Sequence, residues 1–430
     1  MNSPKLTSSK TGSSRVFLAD PVCVLPFGHN ATGINTFTHH LKKNFEEVIP
    51  LVCKELPREI PMPPKTEYLF SYFYEDVMKI PQWKNHSATR IWLRETRKRY
   101  SNLYRKRFDK KTGIRLVTDT YKSLAAKEWC AIFKKYGVTK EDTIYFAGGD
   151  YYGIRGLLLA LRKTNPVDWP KIHIYLINVM ENACLNKGYS SHEIFSDLLG
   201  AGTLGRRIFI SAEVECYATY LSNILQCEVA TMSFPSVEQR MPLPIEKPFV
   251  VGVAGAGRPD KGYFRLLDII KAYNKNYDAS NIKFQIQAMN PIDGSYDKAY
   301  EKKLSKIANV ELLKHRLTDE EILDQYRRAH ILLLPYDPDI YAMRGSAIQS
   351  EAIAFGRHMI ATKNTGFEST IKMLDNGITC ETDDEFARAI NAYTKQSVEE
   401  LTQSGIKAQE KHGRVFESTL NTICKELTQS

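Results

Sequence analysis

The chain has 430 residues, room for two to three domains at ~100–200 residues each. Apolar residues make up 43% of it and charged residues 25%, which excludes a wholly disordered or collagen-like chain. The net charge of +10 is local: between Arg90 and Lys111 ten basic residues face only Glu95 and Asp109, a net charge of +8, so one basic patch rather than a generally basic protein is implied.

In chain order, the polar start over 1–15 reads as a disordered tail with no apolar segment of a secretory signal. Val16–Ala19 predicts a strand. Gly28-His29-Asn30-Ala31-Thr32-Gly33 reads as a loop, and Ile34, Phe37 and Leu41 recur at helical spacing after it. Residues 54–112 hold Pro57, Pro61, Pro63 and Pro64 and the basic stretch, and read as an insertion. Leu124 to Tyr136 predicts a helix stopped by Gly137. Thr143–Ala147, Ile172–Ile177, Arg207–Ser211 and Val229–Met232 predict strands with helices between them. The proline- and charge-rich segment Ser236–Pro248 reads as a boundary, so the first domain is placed at 16–240 and the second at 241–412.

Beyond that boundary the alternation restarts. Strands are predicted at Phe249–Ala254, Ile282–Ala288, His330–Pro335 and His358–Thr362. Helices are predicted at Gly262–Tyr273, Thr318–Arg328 and Ser346–Phe355, with a last helix over 413–430 that can pack back on the first domain. Strands alternating with helices mean βαβ units and parallel sheets. The fold class is therefore α/β, two doubly wound Rossmann-like domains facing a cleft, where open α/β sheets bind ligands beyond their strand ends. No run of ~18 apolar residues argues for a membrane-spanning helix. The eight scattered cysteines show no C-x-x-C spacing, which points to reduced, mostly buried thiols in a cytoplasmic protein and away from a zinc site.

Two motifs carry chemistry. Val251–Phe264 (VGVAGAGRPDKGYF) is strand, glycine-rich loop and helix. Its loop lets backbone N–H groups approach an anion, and Arg258 and Lys261 add two full charges, which suits a diphosphate. The Walker A spacing and the G-x-G-x-x-G fingerprint are both absent. In the second, Pro335–Ile360, a buried strand ends, a loop runs through Arg344-Gly345-Ser346, and Ser346 can cap the next helix. The amides of Gly345–Ala347 would then face an anion, and Glu351 on the second turn can accept two hydrogen bonds from the vicinal hydroxyls of a ribose. An ordinary βα turn with solvated charges, and a plain cap with a surface glutamate, explain each motif taken alone.

Together, in this order and about ninety residues apart, the two motifs resemble the nucleotide-binding domain of GT-B-fold glycosyltransferases, most closely the retaining, glycogen-synthase-like group one family. Gly257-Arg258-Pro259-Asp260-Lys261-Gly262 is similar to that family's G-R-x-x-x-x-K-G, two residues tighter. Glu351-Ala352-Ile353-Ala354-Phe355-Gly356-Arg357-His358-Met359-Ile360 resembles E-A-x-A-x-G-x-P-V-I, and Leu317-Thr318-Asp319-Glu320-Glu321-Ile322 resembles the helix start between them. The resemblance covers about Phe249–Tyr393. It implies that Arg258 and Lys261 act on the donor diphosphate, that Glu351 holds the ribose, and that Arg344, Gly345, Ser346 and Ala347 hold the distal phosphate and sugar. It further implies that the backbone near Leu317 meets the base and that Gly257 and Gly33 lie in the loops facing the phosphates. Met343 stands where many members carry a further glutamate; Tyr341 is then a candidate contact to the transferred sugar. On the acceptor side, Asp150 is a catalytic candidate, with His29 and Glu181 beside it. Each of these three equally suits a cap or a solvated loop.

The implied activity is retaining, metal-independent transfer from a nucleotide-sugar, which is a substrate, so no cofactor is expected. The acceptor is expected to be a glycan, in particular a lipid-linked polysaccharide precursor. The Asp337-Pro338-Asp339 triplet matches a metal-binding D-x-D, a pattern common by chance, and metal is not expected there. On a helical reading Leu93, Tyr100, Tyr104 and Phe108 form one stripe of a cationic amphipathic segment. It suits an anionic membrane surface, or packing on the first domain, and no nucleic-acid motif accompanies it. A sugar-nucleotide epimerase of the same fold, and a non-catalytic membrane-associated protein with a relic donor site, are the alternatives.

Overall fold

The computed structural model describes residues 14–24, 29–71, 113–148, 151–162, 164–178, 195–234, 243, 248–291 and 295–429. The elements of the first part are β1 (Arg15–Asp20), α1 (His29–Leu41), β2 (Glu47–Cys53), β3 (Glu67–Phe70), α2 (Gly113–Tyr136), β4 (Thr143–Phe146), α3 (Tyr151–Leu161), β5 (Lys171–Leu176), α4 (Ser196–Leu199), β6 (Ile208–Ala212), α5 (Glu215–Leu225) and β7 (Val229–Thr231). They build a seven-stranded sheet ordered β3-β2-β1-β4-β5-β6-β7. Parallel register runs outward from β1, with Phe17 beside Ile49 on one side and Ile144 on the other. Val16, Phe17, Leu18 and Ala19 are all fully buried, as a central strand covered on both faces must be.

The second part holds β8 (Phe249–Val253), α6 (Leu266–Asn276), β9 (Ile282–Gln287), α7 (Lys298–Leu304), β10 (Val310–Leu313), α8 (Asp319–Arg328), β11 (Ile331–Leu334), α9 (Pro338–Tyr341), α10 (Ala347–Ala354), β12 (His358–Thr362), α11 (Phe367–Leu374), β13 (Gly377–Cys380), α12 (Asp383–Thr394) and α13 (Val398–Thr428). Its six strands are ordered β10-β9-β8-β11-β12-β13, all in parallel register. Along β11 the side chains alternate between two cores. Ile331 and Leu333 pack with Val251, Phe284 and Ile360, and Leu332 and Leu334 pack with Tyr326, Ile353 and Met359. The chain divides into two compact units, Met1–Leu176 with Cys184–Ile210 and Cys424–Ser430, and Ile177–Ala183 with Ser211–Ile423. Among the described residues no helix is long and apolar enough to cross a membrane.

Three elements depart from the sequence expectations. α1 begins at His29 rather than near Ile34, so Asn30–Gly33 is helix and not loop. A helical glycine costs ~1 kcal/mol relative to alanine, and burial of Ala31 and Ile34 on the same helix offsets it. Inside the expected insertion, β3 pairs in parallel with β2. Pro50 within β2 hides that strand from a pattern reading, because proline removes a ladder donor and normally demotes a run. The last helix starts at Val398, well before 413, and carries Gly405 and Gly413 inside it. Of the described cysteines, Cys23, Cys53, Cys380 and Cys424 are buried, while Cys130 and Cys216 are exposed.

Candidate functional site

The chain leaves β8 through Ala254-Gly255-Ala256-Gly257 and enters two single 3-10 turns, Pro259–Lys261 and Tyr263–Arg265, before α6 begins at Leu266. A helix from Gly262 was expected. Gly262 instead adopts φ +68° between the turns, and a Cβ there would lie 1.8 Å from the Pro335 carbonyl oxygen. Only glycine lets the two strand ends approach so closely.

That approach brings the cations of the first motif against the second. Arg258 Nη2 donates to Asp260 Oδ2 at 2.7 Å and to the Tyr341 hydroxyl at 3.1 Å, and Tyr341 donates to the same Asp260 oxygen at 3.0 Å. The Asp337 amide donates to the Asp260 carbonyl at 3.0 Å, which ties this turn to the start of α9. Lys261 Nζ would lie 2.7 Å from a Cβ on Gly255, where Ile348 Cδ1 of α10 would lie at 3.3 Å, and it sits 5.7 Å from the centre of the Tyr336 ring. Burial and the positive charge of Arg258 push its amine down to about 8, with Asp260 and Glu351 opposing and Arg344 adding to the shift. The Arg344 guanidinium lies 4.8 Å over the Tyr341 ring, and its Nε is buried with no hydrogen-bond partner among the described residues.

Ser346 caps α10, its Oγ accepting from the Ile348 amide at 3.2 Å. Ala347 opens the helix, so its N–H belongs to the unpaired first turn. The Gly345 amide, expected to face an anion, is already used: it donates to Glu213 Oε2 at 3.1 Å. Glu351, on the second turn, accepts from the Tyr326 hydroxyl at 2.5 Å. Burial raises its carboxyl, while the Tyr326 bond and the Lys261 charge oppose.

Leu317 lies half-buried in the loop before α8. Gln287, at the end of β9, donates to the His315 carbonyl at 2.9 Å, and a capping box of Thr318 with Glu321 starts the helix, so the loop is fixed at both ends. Gly257 is buried, and its amide donates to the Ala288 carbonyl at 3.1 Å, so it joins β8 to β9 rather than offering that N–H to a ligand. Tyr341 is 2% exposed, and its hydroxyl is engaged with Arg258 and Asp260, so it orients the cation. Asp337 caps α9, accepting from the Asp339 amide at 3.0 Å, which accounts for the D-x-D locally. His29 is the first residue of α1 and Gly33 is buried in its second turn, away from any loop. Asp150, Glu181, most of Ser236–Pro248 and the basic stretch 90–111 lie outside the described residues.

Three site residues were missed by sequence reasoning: Asp260, Tyr326 and Glu213. Asp260 lay inside the quoted motif, Tyr326 reads as a core aromatic, and Glu213 carries one signal, an acid directly after an apolar strand, where α/β sheets gather ligand groups.

Residues 237–412 match the family model described as Glycosyl transferases group 1. Over that segment the chain is similar to group 1 glycosyl transferases. A comparison with curated protein sequences finds no significant match. Among solved structures, the chain is similar to sucrose-phosphate synthase from Thermosynechococcus elongatus, at 12% identity over 96% of this chain and 99% of that one, with a TM-score of 0.62. It is equally similar to the E. coli trehalose-6-phosphate protein bound with UDP-2-fluoro glucose, at 12% identity, 97% and 99% coverage and TM-score 0.62. A lipopolysaccharide outer core galactosyltransferase follows at 13% identity, 94% and 99% coverage and TM-score 0.57. The fold is GT-B, with a Rossmann-like sheet in each half, as the glycosyl transferase resemblance implied.

Proposed function

We propose that this chain is a retaining, metal-independent glycosyltransferase that moves a sugar from a nucleotide-sugar donor to a glycan acceptor. The observation that supports it best is the cluster of Arg258, Lys261 and Arg344 at the N-terminus of α10. Burial, with the positive charges of Arg258 and Arg344 beside it, holds Lys261 near 8, and the first-turn N–H of Ala347 adds to the same field. Such a cluster is stabilised by an anion, and a diphosphate matches it in charge.

As the sugar leaves, negative charge grows on the diphosphate. Arg258, already oriented by Asp260 and Tyr341, and Lys261 meet that charge without reorganising. A bound diphosphate raises the lysine and keeps it protonated, so a divalent cation has no charge left to balance. Glu351 keeps one oxygen on Tyr326 and offers the other to the ribose; the base lies along the loop that carries Leu317, which Gln287 holds at His315. The acceptor hydroxyl approaches on the face the diphosphate leaves and gives its proton to a phosphate oxygen, which retains configuration. Asp150, Glu181 and His29 are the candidates for acceptor contacts.

The acceptor we favour is a lipid-linked glycan at the cytoplasmic face of a membrane, because the +8 segment 90–111 can bind anionic lipid at ~1 kcal/mol per engaged basic residue. The test of the donor site is a panel of UDP-, GDP-, ADP- and CMP-sugars read by thermal stabilisation. A ligand at ~100 times its Kd adds ~2.7 kcal/mol to stability. At least one sugar nucleotide should raise Tm; no shift with any of them, or conversion of the donor to an epimeric sugar nucleotide without acceptor, would contradict the proposal.

A further inference from the structure

Glu213 follows directly on β6 and is 9% exposed. Its Oε2 accepts from the Gly345 amide at 3.1 Å, and a Cβ on Gly345 would lie 2.3 Å from Glu213 Cδ and 2.5 Å from Oε1. The carboxyl thus lies flat against the backbone just ahead of α10, and only glycine leaves room for it. Its Oε1 makes no hydrogen bond to any described residue. Two neighbours hold the same loop: Cys216 Sγ donates to the Ala342 carbonyl at 3.2 Å, and Asn178 Nδ2 to the Met343 carbonyl at 3.3 Å. Asn178 adopts φ +53°, and its Oδ1 is buried without a partner among the described residues.

Holding one amide does not require an acid. A neutral acceptor would do so without the cost of burying a carboxyl, which is severe unless the group is fully paired. The position also argues against a phosphate contact, because a carboxylate repels one. What suits an open carboxylate oxygen is a neutral donor of hydrogen bonds. A sugar joined to the distal phosphate at the Arg258–Lys261–Arg344 cluster presents hydroxyls one ring away from that phosphate.

We infer that Glu213 positions the transferred sugar, Oε1 accepting from a sugar hydroxyl while Oε2 stays on the Gly345 amide, an inference that rests on the donor site proposed above. The cations then bind the diphosphate and Glu213 selects what it carries. Burial pushes the Glu213 carboxyl up to about 7, against the pull of Arg344 and the Gly345 amide. Arg344 is the charged group that faces it, and the nearby Cys216 thiol, raised by burial, stays neutral. Above neutrality the ionised oxygen makes the stronger, charge-assisted bond, so preference for the sugar-bearing ligand grows with pH.

The experiment is calorimetric titration of the full-length protein with UDP and UDP-glucose, and with GDP and GDP-mannose, at pH 6, 7 and 8. The readout is the ratio of the diphosphate Kd to the sugar-nucleotide Kd, compared between wild type and variant at each pH, so that Lys261 and the ionisation of the diphosphate's own terminal phosphate enter both sides alike. Glu213→Gln, which keeps the shape and the Gly345 contact, should lower this ratio about tenfold at pH 8 and severalfold less at pH 6. Glu213→Ala should do the same, and the diphosphate Kd should stay within about twofold in both. A Gln variant with an unchanged ratio at every pH would overturn the inference. So would parallel losses for diphosphate and sugar nucleotide, the mark of a structural role. A wild type that binds none of the four ligands overturns the donor site itself, and this inference with it.

Discussion

β1 and β8 hold equivalent places in two sheets that share one order over six strands, the first sheet adding β7 at its edge, and each of the two strands is followed by a loop and a helix. Their ends differ in charge. At the end of β1 the buried Asp20 accepts from the Val22 amide at 3.1 Å and from Asn30 Nδ2 of α1 at 3.0 Å, and Cys23 beside it is raised by burial and by that carboxylate. After β8 stand Arg258 and Lys261. The topology supplies two equivalent corners, and under the proposed function side-chain charge separates them: the Asp20 carboxylate would repel a diphosphate, while Arg258 and Lys261, even with Asp260 beside them, would attract it.

The sharpest way to break this contrast is to remove the cations. Arg258→Ala and Lys261→Ala should each lower turnover ~10²–10³-fold, as loss of one preorganised donor does, with the fold intact by circular dichroism. Near-wild-type rates in both would erase the distinction between the two corners. The next largest effect is on membranes. At low salt the protein should co-sediment with vesicles containing anionic lipid, and ~0.5 M salt should release most of it, because screening shortens the Debye length below ~8 Å. Replacing Arg97, Lys98, Arg105 and Lys106 with Ser should abolish co-sedimentation and leave nucleotide binding unchanged.

A smaller loss sharpens the second corner. Glu351→Ala should weaken a nucleoside diphosphate and its sugar-bearing form equally, by about tenfold, since its contact is to the ribose they share. A loss confined to the sugar nucleotide would move Glu351 to the sugar. The pH profile of diphosphate binding follows from Lys261. With its amine near 8, the cation is complete below that pH and is lost as pH rises through it, so Kd should climb between pH 7.5 and 9. Lys261→Arg, which stays charged, should flatten the curve. The smallest expected effect is none: EDTA should leave activity unchanged, and abolition with rescue by Mn²⁺ would bring Asp337 and Asp339 back as ligands.

Much of the second corner was legible because its chemistry is contiguous in sequence. Arg258 and Lys261 share one loop, and Ser346 and Glu351 share one helix, so spacing alone set their roles as charge, cap and second-turn acid. Asp260 and Tyr326 were not legible, because their work is done on partners 81 and 25 residues away. Glu213 was hidden for the same reason, 132 residues from the glycine it touches. At the first corner the helix start was misplaced: Asn30 is tied back to Asp20 by a bond no local pattern reports, and Gly33 looked like a loop residue where burial of its neighbours carries a helix through. Pro50 concealed a central strand that parallel pairing on both sides sustains.

The most direct measurement is calorimetric titration of UDP and GDP into the wild type, Lys261→Ala and Asn30→Ala at pH 7. Lys261 belongs to the corner after β8, and Asn30 to its counterpart after β1. One diphosphate should bind the wild type saturably, bind Asn30→Ala with the same Kd within about twofold, and bind Lys261→Ala at least tenfold more weakly. Equal binding to the wild type and Lys261→Ala, or a loss confined to Asn30→Ala, would contradict the placement of the donor diphosphate.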